Sequence, residues 1–383
     1  MIVRVSDMTR YCTLLVAITI FVAVATKAHP ELPGNPGVTS QLEMRVPFEP
    51  TSFPNSNRRY LIYELHLKNL TAGALSVKRI DVLNAEAPSA SPIASFAADQ
   101  LETMMRSLDR KSDQTVTEIT AGTTTAVFMY LTFDRGSQIP RRLFHRVVIT
   151  DSVEQGASIA THHTNLHVLG PPVEGADWLA ADAASNDPDN HHRRGILMID
   201  GQPTISRRYA IDWKQVNNGA SFAGNPRDVV SYYAYGKAVL AVADGRVITA
   251  RDGLPENIPG HGEDFHPAVP ITMETVAGNT ITIDLGNGQF AYYMHLRTGS
   301  LRVKPGDRVR RGQVIGLIGA SGDAREPHLH FEVTNSSRPF VGEGVPYVID
   351  RYFLTRASGT KELHRHELPL KNDLVDFREF REK

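Results

Sequence analysis

The side chains best suited to chemistry in this sequence lie in a short segment, residues 327–333, which reads Pro-His-Leu-His-Phe-Glu-Val. The segment predicts a β-strand, in which residues i and i+2 project from the same face. His328 and His330 are therefore expected to lie side by side. Such a pair can supply two metal ligands, or one ligand and one proton-transfer group. On its own, a His-x-His pair is weak evidence for a metal.

Asp212 and His295 strengthen the case for a metal site. Asp212 is the carboxylate of an apolar predicted strand, and His295 closes the return strand of a predicted hairpin, residues 279–296. The turn of this hairpin, Asn287-Gly288, is a strong hairpin signal because both residues tolerate positive φ angles. Imidazole and carboxylate groups are ligands that Zn²⁺ accepts, and catalytic zinc sites have three protein ligands and one open position.

The composition restricts what such a site can be made of. The chain has 383 residues, which allows two or three domains, and 41% of them are hydrophobic, which is enough for a real core. A net charge of -1 argues against a protein that binds nucleic acid by neutralising phosphates. One cysteine excludes a disulfide scaffold and any metal site that needs two thiolates. A metal site must therefore be built from His and carboxylate ligands.

The N-terminus predicts an export signal over residues 1–28. Arg4 and Arg10 precede a mostly apolar run, residues 11–25, and small residues follow it. The run is short for a membrane span, so we expect cleavage, no membrane span afterwards, and a periplasmic or extracellular protein. The alternative is an uncleaved membrane anchor. The single cysteine, Cys12, lies in this segment, so the mature protein is expected to contain none.

The first half of the remaining sequence predicts an antiparallel β-sandwich. A linker rich in Pro and Gly, residues 29–40, precedes regularly spaced short strands over residues 41–175, which indicate an Ig-like sandwich. One strand alternates with Glu64 and His66 on its polar face, and one helix is predicted near residues 97–108. We expect this domain to be a spacer, a substrate-docking module or an autoinhibitory module.

The second half predicts a further β-rich domain. A polar stretch, residues 181–190, marks the boundary, and β-type sequence continues over residues 190–354. The charged residues 355–383 are expected to form a surface helix or tail. The fold class expected for the whole chain is mainly β.

Five segments of this second domain match a known family in order and spacing. They are residues 236–247, 293–296, 303–316, 319–322 and 327–332. Together they resemble the lysostaphin/LytM-type zinc metallopeptidases over residues of about 190–345. The combination is specific, although each segment alone is not.

The resemblance implies an antiparallel β-sheet domain that cleaves peptide bonds in peptidoglycan crosslinks with one Zn²⁺ ion. It implies that Asp212 and His330 are zinc ligands. It also implies that His295 and His328 are catalytic, taking a proton from the attacking water or stabilising the oxyanion. The implied partner is a peptide or peptidoglycan substrate.

One position departs from the family pattern. The family has its first ligand His four residues before the Asp, and this sequence has Arg208 there. A guanidinium group stays protonated and cannot bind zinc. His192, which lies 20 residues before Asp212, is our preferred third ligand, and His191 is the alternative. If both histidines lie on a solvated linker, the domain has lost a ligand and would bind cell wall or regulate another hydrolase.

A second departure is a long connection rich in Gly and Pro between Val247 and Asn279. Such an excursion could form a wall of the substrate groove. Its histidines, His261 and His266, are expected to be loop residues rather than ligands.

Overall fold

The computed structural model describes residues 40–97, 99–108 and 117–378. The predicted signal segment, residues 1–28, lies outside the described residues, as does nearly all of the predicted linker. The described residues belong to one compact unit. None of the helices in these ranges has the length and apolar character needed to cross a bilayer.

The first part of the chain forms two antiparallel sheets. Its elements in the described residues are β1 (Leu42–Arg45), β2 (Phe53–Asn55), β3 (Arg58–Asn69), β4 (Leu75–Asn84), β5 (Ala94–Ala97), α1 (Asp99–Met104), β6 (Met105–Ser107), β7 (Glu118–Ile119), β8 (Thr124–Asp134), β9 (Arg142–Ile149) and β10 (Val153–Ala160). One sheet has the order β1-β3-β8-β6 with β2 beside β3. The other has the order β10-β9-β4-β5 with β7 beside β4.

Apolar residues of both sheets form one shared core. Leu65 of β3 and Met129 of β8 lie in the same buried cluster as Ile80 of β4 and Val147 of β9. The antiparallel pairing and the mainly β fold class predicted from the sequence are confirmed. The predicted helix is shorter than expected, because the chain passes from α1 directly into β6, which pairs with β8.

A second group of strands follows in the described residues. They are β11 (Val168–Leu169), β12 (Trp178–Ala181), β13 (Leu197–Ile199), β14 (Gln202–Thr204), β15 (Ile211–Gln215), β16 (Ala238–Leu240), β17 (Gly245–Arg251), β18 (Asn279–Gly286), β19 (Gln289–Leu296), β20 (Arg308–Val309), β21 (Val314–Leu317), β22 (Leu329–Thr334), β23 (Val348–Thr355), β24 (Lys361–Glu367) and β25 (Leu374–Asp376). Short 3-10 helices span Ser206–Tyr209, Val229–Ser231 and Gly262–Asp264.

Most of these strands form one sheet, ordered β11-β23-β25-β12-β15-β22-β19-β18-β17-β20 with β24 beside β23. Its pairs are antiparallel except for β11 with β23. In its centre, Asp212 of β15 lies opposite His330 of β22, and His330 lies opposite Met294 of β19. This register brings the residues expected to do chemistry onto three neighbouring strands.

Residues 356–378, the described part of the segment after Thr355, do not form the surface helix or tail expected from their charge. Residues 361–376 contain β24 and β25, which add to the same sheet. Their charges are compatible with a sheet because they are paired: Asp376, which is 3% exposed, contacts both Lys361 and Arg378. Charge alone therefore misled the prediction for this segment.

The predicted hairpin is confirmed, since β18 and β19 pair across Asn287 and Gly288, both of which have positive φ angles. A second glycine with a positive φ, Gly322, meets the backbone of Gly278. A Cβ atom at Gly322 would lie 2.3 Å from the backbone nitrogen of Gly278, which is too close for any contact. This approach fixes the loop that contains Ser321.

We expect Gly322→Ala to destabilise the protein more than Gly288→Ala. Both substitutions place a side chain at a positive φ, which costs about 1–2 kcal/mol. Gly322→Ala also creates a clash, which adds about 1–3 kcal/mol. Gly288→Ala creates none, because a Cβ at Gly288 meets nothing within 4 Å. Urea unfolding followed by circular dichroism measures the difference. Equal losses in the two variants would contradict the close packing.

Candidate metal centre

Three neighbouring strands bring one carboxylate and three imidazoles together. The Asp212 Oδ1 atom lies 2.8 Å from His330 Nδ1 and 3.5 Å from His328 Nε2. His295, at the end of β19, places its ring centroid 4.9 Å from that of His328. All four side chains are buried, each less than a tenth exposed.

The segment upstream of this sheet adds two more histidines. His192 Nε2 lies 3.4 Å from Asp212 Oδ1, and His191 Nε2 lies 3.9 Å from Asp212 Oδ2. The candidate ligand atoms of these three residues all lie within 4.8 Å of one another. His192 is 1% exposed, whereas the His191 side chain is 55% exposed. The structure thus brings together every site residue expected from the sequence, and because His192 is buried, the two histidines do not both lie on a solvated linker.

Backbone carbonyl groups orient three of the imidazoles. The Nδ1 atoms of His192, His295 and His328 lie 2.9, 2.9 and 2.8 Å from the carbonyl oxygens of Asp182, Ser321 and Glu326. Each carbonyl can only accept, so each Nδ1 donates, and a neutral ring then has its lone pair on Nε2. This is the arrangement that metal-binding and proton-accepting histidines require.

The Nε2 atom of His192 gives a direct test of whether a cation fits. It is buried and has no hydrogen-bond partner within the described part of the chain. Its lone pair faces the Asp212 carboxylate at 3.4 Å, and two facing acceptors repel each other. A buried acceptor without a partner also costs free energy. A cation between the two groups would remove both costs, so these residues fit a metal ion.

His330 is oriented by carboxylates instead of a carbonyl. Its Nδ1 faces Asp212, and its Nε2 lies 3.5 Å from Glu332 Oε2. The Glu332 side chain has no exposed surface. Burial lowers the pKa of His330, but the two carboxylates outweigh it and raise that pKa to about 9. With Nε2–H donating to Glu332, Nδ1 beside Asp212 is the atom that would bind a metal ion in place of its proton.

The charge states of the other groups suit a ligand set. Burial raises the pKa of Asp212, but His328 and His192 outweigh it and hold that pKa well below its ordinary value. Burial lowers the pKa of His192 to about 4 and lowers the pKa of His295 as well. At neutral pH, Asp212 is therefore ionised while His192 and His295 are neutral.

The structure explains why Arg208 does not act as a ligand. Its guanidinium donates to both oxygens of Glu64, with Nη2 2.6 Å from Oε2, and to Glu343 Oε2 at 2.7 Å. A further donor reaches the Gly344 carbonyl at 3.1 Å. Arg208 is 3% exposed, and its buried ion pair with Glu64 joins the 3-10 helix Ser206–Tyr209, which precedes β15, to strand β3.

The sequence reasoning missed the second partner of Glu64, which is Arg193. This residue directly follows His192, is fully buried and forms an ion pair with Glu64 Oε1. The strand alternation placed Glu64 and His66 on a polar face, and the structure shows that this face is buried, since each residue is 3% exposed. A charged residue between the large apolar side chains of Tyr63 and Leu65 was the one available signal.

The six site side chains line a cavity of about 270 Å³. Its other lining residues include three basic side chains, Arg207, Lys214 and Arg325. His261, from the long connection after β17, also lines the cavity, so that connection forms part of its wall as the sequence suggested. The arrangement places the candidate metal ligands in the lining of one cavity.

Comparison with known proteins identifies the domain that contains most of this site. Residues 228–341 match the family model described as Peptidase family M23. The chain therefore carries an M23 peptidase domain. The resemblance predicted from the sequence is confirmed. The matched residues include His295, His328 and His330, whereas Asp212 and His192 lie upstream of them.

Individual relatives are similar to this chain over short stretches. The peptidoglycan DD-endopeptidase ShyA of Vibrio cholerae is 44% identical over 63 residues, which are 16% of this chain and 14% of ShyA. The glycyl-glycine endopeptidase ALE-1 of Staphylococcus capitis is 33% identical over 115 residues, 30% of this chain and 26% of ALE-1. The match therefore spans only a small part of each relative. The catalytic domain of lysostaphin from Staphylococcus simulans is 20% identical, with a TM-score of 0.23, over 46% of this chain and 88% of that domain.

We expect the Glu64 ion pairs to make stability fall at acid pH. Burial raises the pKa of Glu64, but Arg208 and Arg193 outweigh it and lower that pKa from 4.5 to about 2. The stabilisation is therefore complete above the unfolded-state pKa and is lost as the pH falls from about 4.5 to about 2. Glu64→Gln should lower the free energy of unfolding at pH 7 by about 3–5 kcal/mol, because it leaves buried cations unpaired.

The free energy of unfolding of Glu64→Gln should differ from that of the unaltered protein by about 2 kcal/mol less at pH 3 than at pH 5. Urea unfolding at these pH values measures it. Asp134→Asn is the control, because Asp134 pairs with Arg58 at the surface and is 74% exposed, so it should change stability by less than about 1 kcal/mol. A difference that stays constant with pH would contradict the assigned ionisation of Glu64.

Proposed function

We propose that this chain is an exported, zinc-dependent endopeptidase that hydrolyses peptide bonds in peptidoglycan crosslinks. The observation that carries the proposal is the unpaired Nε2 atom of His192, which faces Asp212 beside His330. The M23 domain supports the reaction class. The relatives support the substrate class, since ShyA and ALE-1 are both named as endopeptidases and ShyA as acting on peptidoglycan. Residues 1–28 would direct export.

The proposed ligands are His192 Nε2, an Asp212 carboxylate oxygen and His330 Nδ1. Two imidazoles and one carboxylate are a donor set typical of catalytic zinc sites, which keep one position open. Zn²⁺, when bound, polarises a carbonyl group and lowers the pKa of a water molecule toward neutrality. Glu332 accepts the Nε2–H of His330 and so directs Nδ1 toward Asp212.

His295 and His328 are the proposed proton-transfer groups. The Ser321 and Glu326 carbonyls fix their Nδ1 protons, so each presents Nε2 as the atom that accepts a proton from water or returns one to the leaving amine. His295 has a φ of 64°, which is unusual for a residue with a side chain. Its backbone N–H donates to Ala277 at 3.0 Å, which helps to stabilise this conformation.

The alternative is a degenerate domain that binds cell wall or regulates another hydrolase. Arg208 favours this alternative, because the family ligand is absent at that position. His192 favours the enzyme, because it offers a buried imidazole nitrogen to the same carboxylate. The two functions differ in whether His192 binds the metal.

Substitution of the two adjacent histidines should separate these functions. We expect His192→Ala to weaken zinc affinity at least about 100-fold and to abolish peptide hydrolysis, since it removes a ligand. His191→Ala, a matched change at an exposed neighbour, should leave both nearly unchanged. Zinc affinity is measured by competition with a chromogenic chelator, and hydrolysis by release of peptides from purified peptidoglycan.

If zinc is lost in His191→Ala and kept in His192→Ala, the third ligand is His191 and not His192. Absence of both zinc binding and hydrolysis in the unaltered protein would favour the degenerate alternative.

The proposed catalytic histidines should respond differently from the ligands. We expect His295→Ala and His328→Ala to keep stoichiometric zinc but to lower kcat by about 100-fold to 10,000-fold, because general acid–base catalysis contributes about that much. Asp212→Ala and His330→Ala should lose zinc and activity together. Elemental analysis alongside steady-state kinetics measures both. Full activity in His295→Ala or His328→Ala would remove that residue from the mechanism.

A further inference from the structure

The buried carboxylate of Glu64 connects the two chain segments that form the metal centre. Glu64 belongs to β3 of the N-terminal sandwich and contacts Arg193 and Arg208 at once. Arg193 directly follows His192, and Arg208 lies four residues before Asp212. We propose that Glu64 is a positioning residue of the metal centre, so that the sandwich domain completes the centre. This inference rests on the proposed function, in which His192 is a ligand.

The His192 segment has little regular structure of its own. It lies between β12 and β13, and its internal order comes from Asn190, whose Oδ1 accepts from the Arg193 N–H at 2.9 Å and whose Nδ2 donates to the Ala183 carbonyl at 2.8 Å. These bonds shape the turn. With the bond from His192 Nδ1 to the Asp182 carbonyl, they also tie it to the residues that directly follow β12.

The sandwich supplies the contacts that anchor this turn. The Arg193 Nη2 atom donates to the carbonyl oxygens of Tyr63 on β3 and Met129 on β8, at 2.9 and 3.2 Å. The Arg194 guanidinium lies 4.2 Å from the ring centroid of Phe128, also on β8, and donates to the Thr103 carbonyl at 3.0 Å. The position of His192 therefore depends on strands of the sandwich as well as on the end of β12.

Charge balance makes Glu64 the critical member of this contact. Two buried arginines, Arg193 and Arg208, are neutralised by Glu64 and Glu343, and Glu64 alone contacts both. Without its charge, two desolvated cations would repel each other across the gap. Arg193 directly follows His192, and Arg208 lies four residues before Asp212. If the two arginines moved apart, the two proposed ligands would therefore move apart as well.

The test compares Glu64→Gln with Glu367→Gln in the full-length protein. Glu367 is a matched control, because it is also a buried carboxylate that ties the sandwich to the large sheet. It contacts Arg135, the Ser56 N–H and His364, and none of its contacts in the described residues is with the metal centre. Zinc affinity is measured by chelator competition, and the Co²⁺-substituted protein reports its ligand set through its visible absorption spectrum.

We expect Glu64→Gln to weaken zinc affinity about 10-fold to 100-fold, the range found when a group that orients a ligand is removed. Its Co²⁺ spectrum at saturation should change. Glu367→Gln should lower the urea midpoint but keep the zinc affinity and the spectrum. If Glu64→Gln does not fold, Glu64→Asp provides the test, since it keeps the charge on a shorter side chain and should show a smaller loss of affinity.

Folded Glu64 variants with the affinity and spectrum of the unaltered protein would overturn the inference while leaving the proposed function standing. A weakening in Glu367→Gln equal to that in Glu64→Gln would also overturn it, because the effect would then be general destabilisation. Failure of the unaltered protein to bind zinc would reject the proposed function and the inference together.

Discussion

The pairing of the buried Glu64 carboxylate with two arginines is the interaction on which the proposed metal centre depends. The carboxylate neutralises Arg208, which stands where the family has its first ligand, and Arg193, which follows the histidine proposed to replace that ligand. Burial of three charges is unfavourable unless they are paired, so these side chains constrain one another. The absence of the family ligand at Arg208 and the proposed ligand role of His192 are thereby linked through one ion-pair network.

The antiparallel sheet contributes the other constraint. Pairing of β15 with β22 places Asp212 directly opposite His330, and a shift by one residue would turn one of them to the other face. Carbonyl groups then fix the tautomers of His192, His295 and His328 before any ligand binds. Such preorganisation means that the centre does not have to reorder its polar groups when substrate arrives.

The strand-based part of this centre could be predicted from the sequence, and the ion-pair part could not. The two-residue period placed His328 and His330 together, and the Asn-Gly turn predicted the hairpin that leads to His295. Alternation reveals which residues share a face but not whether another layer covers it, so Glu64 was assigned to a polar face. No period relates His192 to Asp212 across 20 residues, so only the fold could bring them together.

The central claim is that His192 replaces the missing ligand. A crystal structure of the zinc-loaded protein, with anomalous differences recorded at the zinc absorption edge, tests it most directly. We expect one anomalous peak about 2.0–2.2 Å from His192 Nε2, His330 Nδ1 and an Asp212 oxygen. A peak at this distance from His191 in place of His192, or no peak between Asp212 and His330, would contradict the proposed ligand role of His192.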